Sequence, residues 1–197
     1  MKNLQISDRL RDLDFRFETR PGVFSQHDVD TGSKLLIEAM HVSPTARVLD
    51  LGCGYGPIGI VAAKLASKGS AVLVDSDIRA TRLAQKNLEL NGITNAEVIL
   101  GDGWHDLPPK SRFDVVVSNP PTHAGRDVLD DFVEGAYKVL KPRGQMYFVV
   151  NRILSLRKEV EKVFGNVDTA AQTKGFVVIH AAKTHRLERE EADVDLF

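Results

Sequence analysis

Cysteine and long apolar stretches are both scarce in this sequence. Cys53 is the only cysteine among 197 residues, which excludes an internal disulfide and a zinc site built on several thiolates. The longest apolar runs, such as residues 147–150, have the length of a strand and are too short to cross a bilayer. Residues 1–4 lack the apolar core of a secretory signal. We therefore expect a cytoplasmic protein with no membrane contact and no metal.

The net charge is also small, because the chain has 26 lysine and arginine residues and 27 aspartate and glutamate residues. Such a chain has no strong positive field over its whole surface, so a nucleic-acid ligand must be held by a local basic patch. Hydrophobic residues make up 43% of the chain and charged residues 27%, as in a globular protein. The length suits one domain rather than two, and the composition does not determine the oligomeric state.

Short β-branched segments alternate with amphipathic segments from about residue 46 to residue 182. Apolar runs without polar alternation predict strands buried on both faces, and apolar stripes at helical spacing predict helices between them. The predicted strands are 47–51, 71–74, 97–100 and 114–118, and the predicted helices are 58–65, 77–91, 129–140 and 155–164. This order predicts a doubly wound α/β sheet, mostly parallel, with helices on both faces.

The last two predicted strands break this pattern. Residues 167–171 and 176–182 are separated only by residues 172–175. That gap is too short for a helical crossover, so the two strands must pair antiparallel as a hairpin. We therefore expect one antiparallel strand in an otherwise parallel sheet.

The first 45 residues precede this alternation. Phe15 and Phe17 alternate with charged neighbours, and residues 20–22 supply an Arg-Pro-Gly turn of the kind that suits type II. Asp30 or Ser33 can cap a following helix. The predicted organisation is a hairpin and helix extension over residues 1–45, an α/β core over residues 46–183 and a charged tail over residues 184–197.

A glycine-rich turn joins the first strand of the core to its first helix, within residues 48–59. Glycines allow a sharp turn and the close approach of a ligand. A dinucleotide fingerprint needs glycine at its first, third and sixth positions, but the sixth position counted from Gly52 is Pro57, which argues against NAD or FAD. Asp50, before the first glycine, suits the ammonium group of a ligand better than a pyrophosphate; its alternative role is that of a helix cap.

Two further acidic positions follow the next two strands. Asp75 ends the second strand of the core, where a carboxylate accepts from both hydroxyls of a ribose. Asp102, between two glycines, follows the third strand and can accept from an adenine amino group. Ammonium, ribose and adenine together describe S-adenosylmethionine (SAM). Plainer interpretations exist, since Asp75 can simply begin the next helix, and Trp104 is either an adenine platform or a packing residue.

The sequence Asn119-Pro120-Pro121 directly follows the fourth strand. A rigid turn there holds the Asn119 side chain and the Pro120 carbonyl as two acceptors for the hydrogens of a planar NH₂ group. Orientation and electrostatics then supply most of the acceleration of methyl transfer, without a metal. Asn-Pro-Pro alone is a common turn, but all four features follow successive parallel strands, where such sheets bind ligands.

On these residues the chain resembles the small-domain family of class I SAM-dependent methyltransferases, typified by the ribosomal RNA guanine-N2 methyltransferase C and its archaeal single-domain relatives. The resemblance covers about residues 12–183. Its motifs are Asp50-Leu51-Gly52-Cys53-Gly54-Tyr55-Gly56, Asn119-Pro120-Pro121, Gly22-Val23-Phe24-Ser25 and Asp30-Thr31-Gly32. It implies a Rossmann-like sheet of seven mostly parallel strands in the order 3-2-1-4-5-7-6, with the last strand antiparallel.

The resemblance also implies catalysis by Asn119 and Pro120. The candidate cofactor contacts are Asp50, Gly52, Gly54, Tyr55, Asp75, Asp102 and Asn119, and the candidate substrate contacts are Phe24, Pro121, His123, Arg126 and Arg152. One departure matters, because Thr122 stands where many base-modifying relatives carry an aromatic residue. Either Phe24 or Tyr55 stacks on the target instead, or the acceptor is not a flipped base.

The leading hypothesis is SAM-dependent methylation of an exocyclic amine on a base in RNA, namely guanine N2 in ribosomal RNA. Arg126 and Arg152 at the rim, with Arg20 closing over it, are expected to attract the phosphates. Protein glutamine N5-methylation is the first alternative, and Thr122 counts against it. A non-catalytic SAM-binding module is a second alternative, against which the complete acidic series and the intact Asn-Pro-Pro turn count. An NAD-dependent oxidoreductase is disfavoured by Pro57.

Overall fold

The computed structural model describes residues 4–22, 28–121, 125–151 and 156–184. Three candidate substrate contacts, Phe24, His123 and Arg152, lie outside these described residues. The strands are β1 Leu4–Leu10, β2 Leu13–Thr19, β3 Arg47–Leu51, β4 Ser70–Asp75, β5 Ala96–Leu100, β6 Phe113–Ser118, β7 Leu140–Asn151, β8 Asp168–Gln172 and β9 Phe176–Ala182. The helices are α1 Thr31–Ala39, α2 Pro57–Leu65, α3 Ile78–Leu90, α4 Arg126–Val139 and α5 Arg157–Phe164.

Seven strands form the main sheet, in the order β5-β4-β3-β6-β7-β9-β8. The pairs from β5 to β7 are all parallel, whereas β9 runs antiparallel to both β7 and β8. Counted from β3, this is the order 3-2-1-4-5-7-6 with the last strand antiparallel. The predicted fold class and sheet order are therefore confirmed, including the hairpin of the last two strands.

Helices cover both faces of this sheet because its strands are apolar on both sides. Val48 of β3 packs in a cluster with α1, α2 and α3, whereas the next residue, Leu49, packs in a second cluster with α4 and α5. Both side chains are fully buried. The strand residues that showed no polar alternation in the sequence are thus those covered by helices on two sides.

The sequence Lys141-Pro142-Arg143-Gly144 favours a turn that stops the helix before it. Helix α4 does end at Val139, but residues 141–144 belong to strand β7. The register between β6 and β7 shifts there: Leu140 pairs with Phe113, and the next pair joins Gln145 to Val115. Arg143 takes a positive φ of 66°, and its backbone N–H donates to the carbonyl of Lys183. The Pro-Arg-Gly sequence that favoured a turn thus marks an irregularity at the start of a longer strand.

The N-terminal residues form a separate antiparallel hairpin, β1–β2. Phe15 and Phe17 are buried within the same apolar cluster as helices α1 to α3. The amide of Asn87 in α3 fastens the hairpin: its Oδ1 accepts from Glu18 N at 2.6 Å and its Nδ2 donates to Glu18 O at 2.9 Å. The same Nδ2 donates to the carbonyl of Tyr55 at 2.9 Å. The domain boundaries proposed at residues 45 and 183 stay predictions.

No helix in the described ranges is long and apolar enough to cross a membrane. The cytoplasmic location expected from the sequence stays a prediction.

Candidate functional site

A cavity of about 360 Å³ lies at the carboxyl ends of the central parallel strands. Gly52 follows β3, Asp75 ends β4, Asp102 follows β5 and Asn119 follows β6, and all four line this cavity. Its size falls in the range of small-molecule pockets, about 300–1,000 Å³. Apolar lining comes from Pro57, Ile58, Val74, Val128 and Phe132. The structure therefore brings together the groups that the sequence placed after successive strands.

Hydrogen bonds to strand β4 hold the glycine turn in place. Gly52 N and Cys53 N donate to the carbonyl of Val74 at 2.9 and 3.0 Å, and Gly54 N donates to Asp75 Oδ2 at 2.8 Å. Gly54 has a φ of 58°, and a Cβ built on it would meet no atom within 4 Å. The left-handed backbone explains why glycine suits this position, and the open space above it leaves the turn accessible to a ligand.

Asp50 lies outside the lining of the cavity. Its side chain is buried, with 1% exposure, and its Oδ2 accepts from Gly59 N at 2.8 Å. Helix α2 begins after Gly56, which has no side chain to cap it, so Asp50 supplies the missing acceptor at the third helical position. The alternative role of a helix cap fits this geometry, and the contact with a ligand's ammonium group stays a prediction.

The environment of Asp50 opposes ionisation. Burial raises the pKa of its carboxyl to about 7, the hydrogen bond from Gly59 lowers it, and the charge of Asp75 raises it further. Its Oδ1 is buried without a hydrogen-bond partner among the described residues. Near neutral pH this carboxyl therefore exchanges between a neutral and a charged form.

Asp75 has two structural hydrogen bonds and a face toward the cavity. Its Oδ2 accepts from Gly54 N and its Oδ1 accepts from Asp77 N, each at 2.8 Å. A carboxylate oxygen has capacity for more than one acceptor contact, so each oxygen can still accept from a hydroxyl. Asp77 itself caps α3 by accepting from Arg79 N. Asp75 is therefore not the cap of this helix, and its carboxylate can interact with a ligand.

The turn after β5 places Asp102 at the cavity. Asp102 N donates to Asp106 Oδ2 at 2.6 Å, which fixes the turn. Trp104 does not line the cavity; its Nε1 donates to the carboxylate of Asp131, and a Cβ on Gly135 would lie 2.0 Å from its ring. The plainer interpretation of Trp104, a packing residue against α4, is the one the structure supports.

Asn119 is held by two acceptors from helix α1. Its Nδ2 donates to Asp30 Oδ1 at 3.1 Å and to Ser33 Oγ at 3.0 Å. Because a carboxylate only accepts, the amide must turn its NH₂ toward Asp30, and no described residue donates to its Oδ1. Pro120 and Pro121 complete this wall of the cavity. The sequence had suggested Asp30 and Ser33 only as helix caps; the Asp-Thr-Gly motif at residues 30–32 was the signal that marked this position.

Tyr55 lines the cavity but is almost wholly buried, with 1% exposure. Its ring packs edge-on against Phe17, with the centroids 5.8 Å apart. Burial, with the nearby carboxylates of Asp30, Asp28 and Asp8, raises the pKa of its hydroxyl above the usual range. Tyr55 thus forms part of the wall and anchors the hairpin.

Of the remaining candidates, Pro121 lines the cavity, whereas Arg126 is exposed at the start of α4 and is not among the lining residues. Within the described ranges, no group of three or more histidine, cysteine or acidic side chains can hold a metal ion.

The model of a known family, the methyltransferase small domain, matches residues 14–180. The chain belongs to this family. It is 34% identical over 181 residues to the uncharacterized protein YbxB of Bacillus subtilis, covering 90% of each chain. It is also 32% identical over 180 residues to the ribosomal RNA small subunit methyltransferase C of Citrobacter koseri, covering 89% of this chain and 52% of that one.

A solved structure gives the same result. The 16S rRNA N2 G1207 methyltransferase of Thermus thermophilus, in complex with AdoMet and guanosine, superposes with a TM-score of 0.85 and 33% identity, covering 92% of this chain and 50% of that one. The chain thus spans most of the Bacillus protein and about half of the ribosomal RNA methyltransferases. The predicted family, its methyltransferase activity and SAM as the cofactor of that family are confirmed. The roles of individual site residues stay predictions.

Proposed function

We propose that this protein is a SAM-dependent N-methyltransferase that modifies the exocyclic N2 of guanine in ribosomal RNA. The observation that carries the proposal is the Asn119 amide, fixed at the wall of a cavity of cofactor size with no described donor on its Oδ1. The guanosine and AdoMet in the Thermus relative support the choice of substrate and cofactor.

The cavity fits SAM by the chemistry of its lining. The open backbone at Gly54 can receive the methionine part, the carboxylate of Asp75 can accept from both ribose hydroxyls, and Asp102 can accept from the adenine amino group. Phe132 and Ile58 provide apolar surface between these polar positions. When bound, SAM supplies a methyl group on a positively charged sulfur.

Asn119 and Pro120 act on the acceptor. Asn119 Oδ1 and the Pro120 carbonyl can each accept one hydrogen of a planar NH₂ group, and so direct its lone pair toward the methyl group. As the N–C bond forms and the C–S bond breaks, positive charge develops on the nitrogen, which both oxygens stabilise. The extra proton then leaves to water, and no strong base is required.

The acceptor base must be unpaired to reach this wall. A guanine inside a helix hides its N2 edge, so the base has to be flipped or lie in a loop. Of the two candidates for stacking on this base, Phe24 lies outside the described residues and Tyr55 is buried in the wall of the cavity.

Mass spectrometry of nucleosides tests the proposal. Purified protein, isotope-labelled SAM and unmodified ribosomal RNA should give labelled N2-methylguanosine after digestion. Asn119→Ala should bind SAM and form the product about 100-fold more slowly or slower still. Labelled glutamine in a protein fraction with unlabelled RNA would instead support glutamine N5-methylation, and SAM binding without any transfer would support a non-catalytic module.

A further inference from the structure

A small cleft of about 180 Å³ is lined almost entirely by cations: Arg20, Arg79, Arg82 and Lys86, with Leu83 at its base. We call these four residues the basic cleft. Residues 79, 82 and 86 lie on one face of α3, since they are spaced by three and four positions. Arg20 reaches the cleft from the end of β2. Such a concentration of charge stands out in a chain whose formal net charge is −1.

Only half of this charge is neutralised by described residues. Arg79 pairs with Asp77 at 2.6 Å and Lys86 pairs with Glu18 at 2.7 Å. Arg20 and Arg82 have no ion pair in the part of the chain that the structure describes, and Arg20 Nε is buried without a hydrogen-bond acceptor there. A buried donor without an acceptor is costly, so the cleft is suited to an anionic group supplied from outside.

The helix that carries most of the cleft begins next to residues that line the cofactor cavity. Asp75 and Ser76 line that cavity, and α3, which carries three of the four cations, begins two residues later at Ile78. The Arg79 guanidinium lies near the turn that follows β2, 3.7 Å from a Cβ built on Gly22. None of the four cations is among the residues that line the cofactor cavity.

We propose that the basic cleft binds a backbone phosphate of the RNA substrate, next to the nucleotide presented to Asn119. This rests on the proposed function and adds the surface that holds the RNA. Guanidinium groups suit this task because they bind phosphate through paired N–H donors. A chain with a net charge near zero needs a local basic patch to hold RNA. We assign that role to this cleft rather than to Arg126 at the start of α4.

The test compares two double variants in binding to a fluorescent ribosomal RNA fragment, measured by anisotropy at several salt concentrations. Arg20→Ala/Arg82→Ala removes the two unpaired cations of the cleft. Lys64→Ala/Lys68→Ala removes two exposed cations elsewhere and is the matched control. Each phosphate contact with single-stranded RNA contributes about 0.7 to the steepness of the plot of log affinity against log salt concentration. If both arginines contact phosphate, the cleft variant should therefore show a slope that is smaller than that of the parent by roughly 1.4. The control variant should keep the slope of the parent.

Two further readouts separate the proposals. SAM affinity should be the same in both variants and the parent, which shows that the fold is retained. An RNA affinity and salt slope equal to those of the parent in the cleft variant would overturn the phosphate site, even if the parent methylates RNA. A parent that binds and methylates no RNA overturns the proposed function itself.

A second inference comes from a different observation, the contacts of Asn119 Nδ2 with Asp30 and Ser33. We infer that these two are positioning residues, which hold the amide so that Oδ1 faces the acceptor amine. Asp30 Oδ1 also accepts from Ser33 N at 3.0 Å, whereas the Ser33 hydroxyl has no part in that cap. Ser33→Ala therefore removes an Asn119 contact without uncapping α1.

A double-mutant cycle tests this role. Ser33→Ala should lower kcat by about 2–10-fold, the value of one hydrogen bond, with SAM affinity unchanged. In an Asn119→Ala background the same substitution should lower the residual rate no further, because its target is absent. Asp30→Asn, which keeps an Oδ1 acceptor, should retain far more activity than Asp30→Ala. An equal loss from Ser33→Ala in both backgrounds would refute the positioning role.

Discussion

The buried carboxyl of Asp50 should make the stability of this protein fall as the pH rises toward neutrality. Burial raises its pKa to about 7 in the folded chain, from the ordinary aspartate value of 3.8. Between these values the folded state holds a proton that the unfolded state has lost, so the free energy of unfolding decreases with increasing pH. The contribution is fully present below pH 3.8 and is lost as the pH passes through about 7.

The magnitude follows from the size of the shift. One pKa unit corresponds to about 1.4 kcal/mol, and the part of the shift titrated between pH 5 and pH 8 is roughly two units, which gives roughly 3 kcal/mol. Asp50→Asn keeps an oxygen that can accept from Gly59 N–H but cannot ionise. Relative to the parent, this variant should therefore gain roughly 3 kcal/mol of stability between pH 5 and pH 8.

Urea denaturation of parent and variant at both pH values measures this difference. Asp77→Asn is the control, because hydrogen bonds from Arg79 lower the pKa of Asp77. A lowered pKa contributes stability that is lost only as the pH falls below about 3.8. Between pH 5 and pH 8 this variant should therefore keep the pH dependence of the parent. Parallel pH dependences for the parent and Asp50→Asn would refute the assignment of the titration to Asp50.

Three further variants address the cofactor turn and the reaction. Asp75→Ala should weaken SAM binding by roughly 2–4 kcal/mol in calorimetric titration, since two charge-assisted hydrogen bonds are lost; unchanged affinity would contradict this assignment. Asn119→Ala should reduce kcat by about 100-fold or more with SAM affinity intact, and full activity would move the reaction elsewhere. Gly59→Ala places a Cβ 2.5 Å from Leu73 and should lower the free energy of unfolding by about 1–3 kcal/mol, measured by urea denaturation. Gly175→Ala is the control, because a Cβ there meets no atom within 4 Å, and it should show no comparable loss.

The order of the sheet could be predicted because local sequence patterns indicate its strands and helices. Residues 71–74 are apolar without alternation, and residues 176–182 follow the preceding strand too closely for a crossover. The candidate site followed from the same logic, since the carboxyl ends of parallel strands meet at one edge.

What sequence reasoning missed depends on contacts between distant residues. Asn119 meets a carboxylate 89 positions away, and no local pattern announces such a pair. The burial of Asp50 is a second example, because a position before a glycine turn does not reveal whether its side chain points to the ligand or toward the helix that follows. Of the basic cleft, the sequence indicated only Arg20. The three cations of α3 were missed because they lie on a different segment, where they look like ordinary residues of an exposed helix face.

The amide of Asn87 has a consequence for motion. Because one buried side chain bonds both to β2 at Glu18 and to the carbonyl of Tyr55 in the glycine turn, the hairpin cannot open locally without disturbing that turn. A ligand that orders the turn must then also suppress opening of the hairpin, by thermodynamic reciprocity. The Glu18 amide proton, far along the chain from Asn119, thereby becomes a reporter of cavity occupancy through its rate of exchange with solvent.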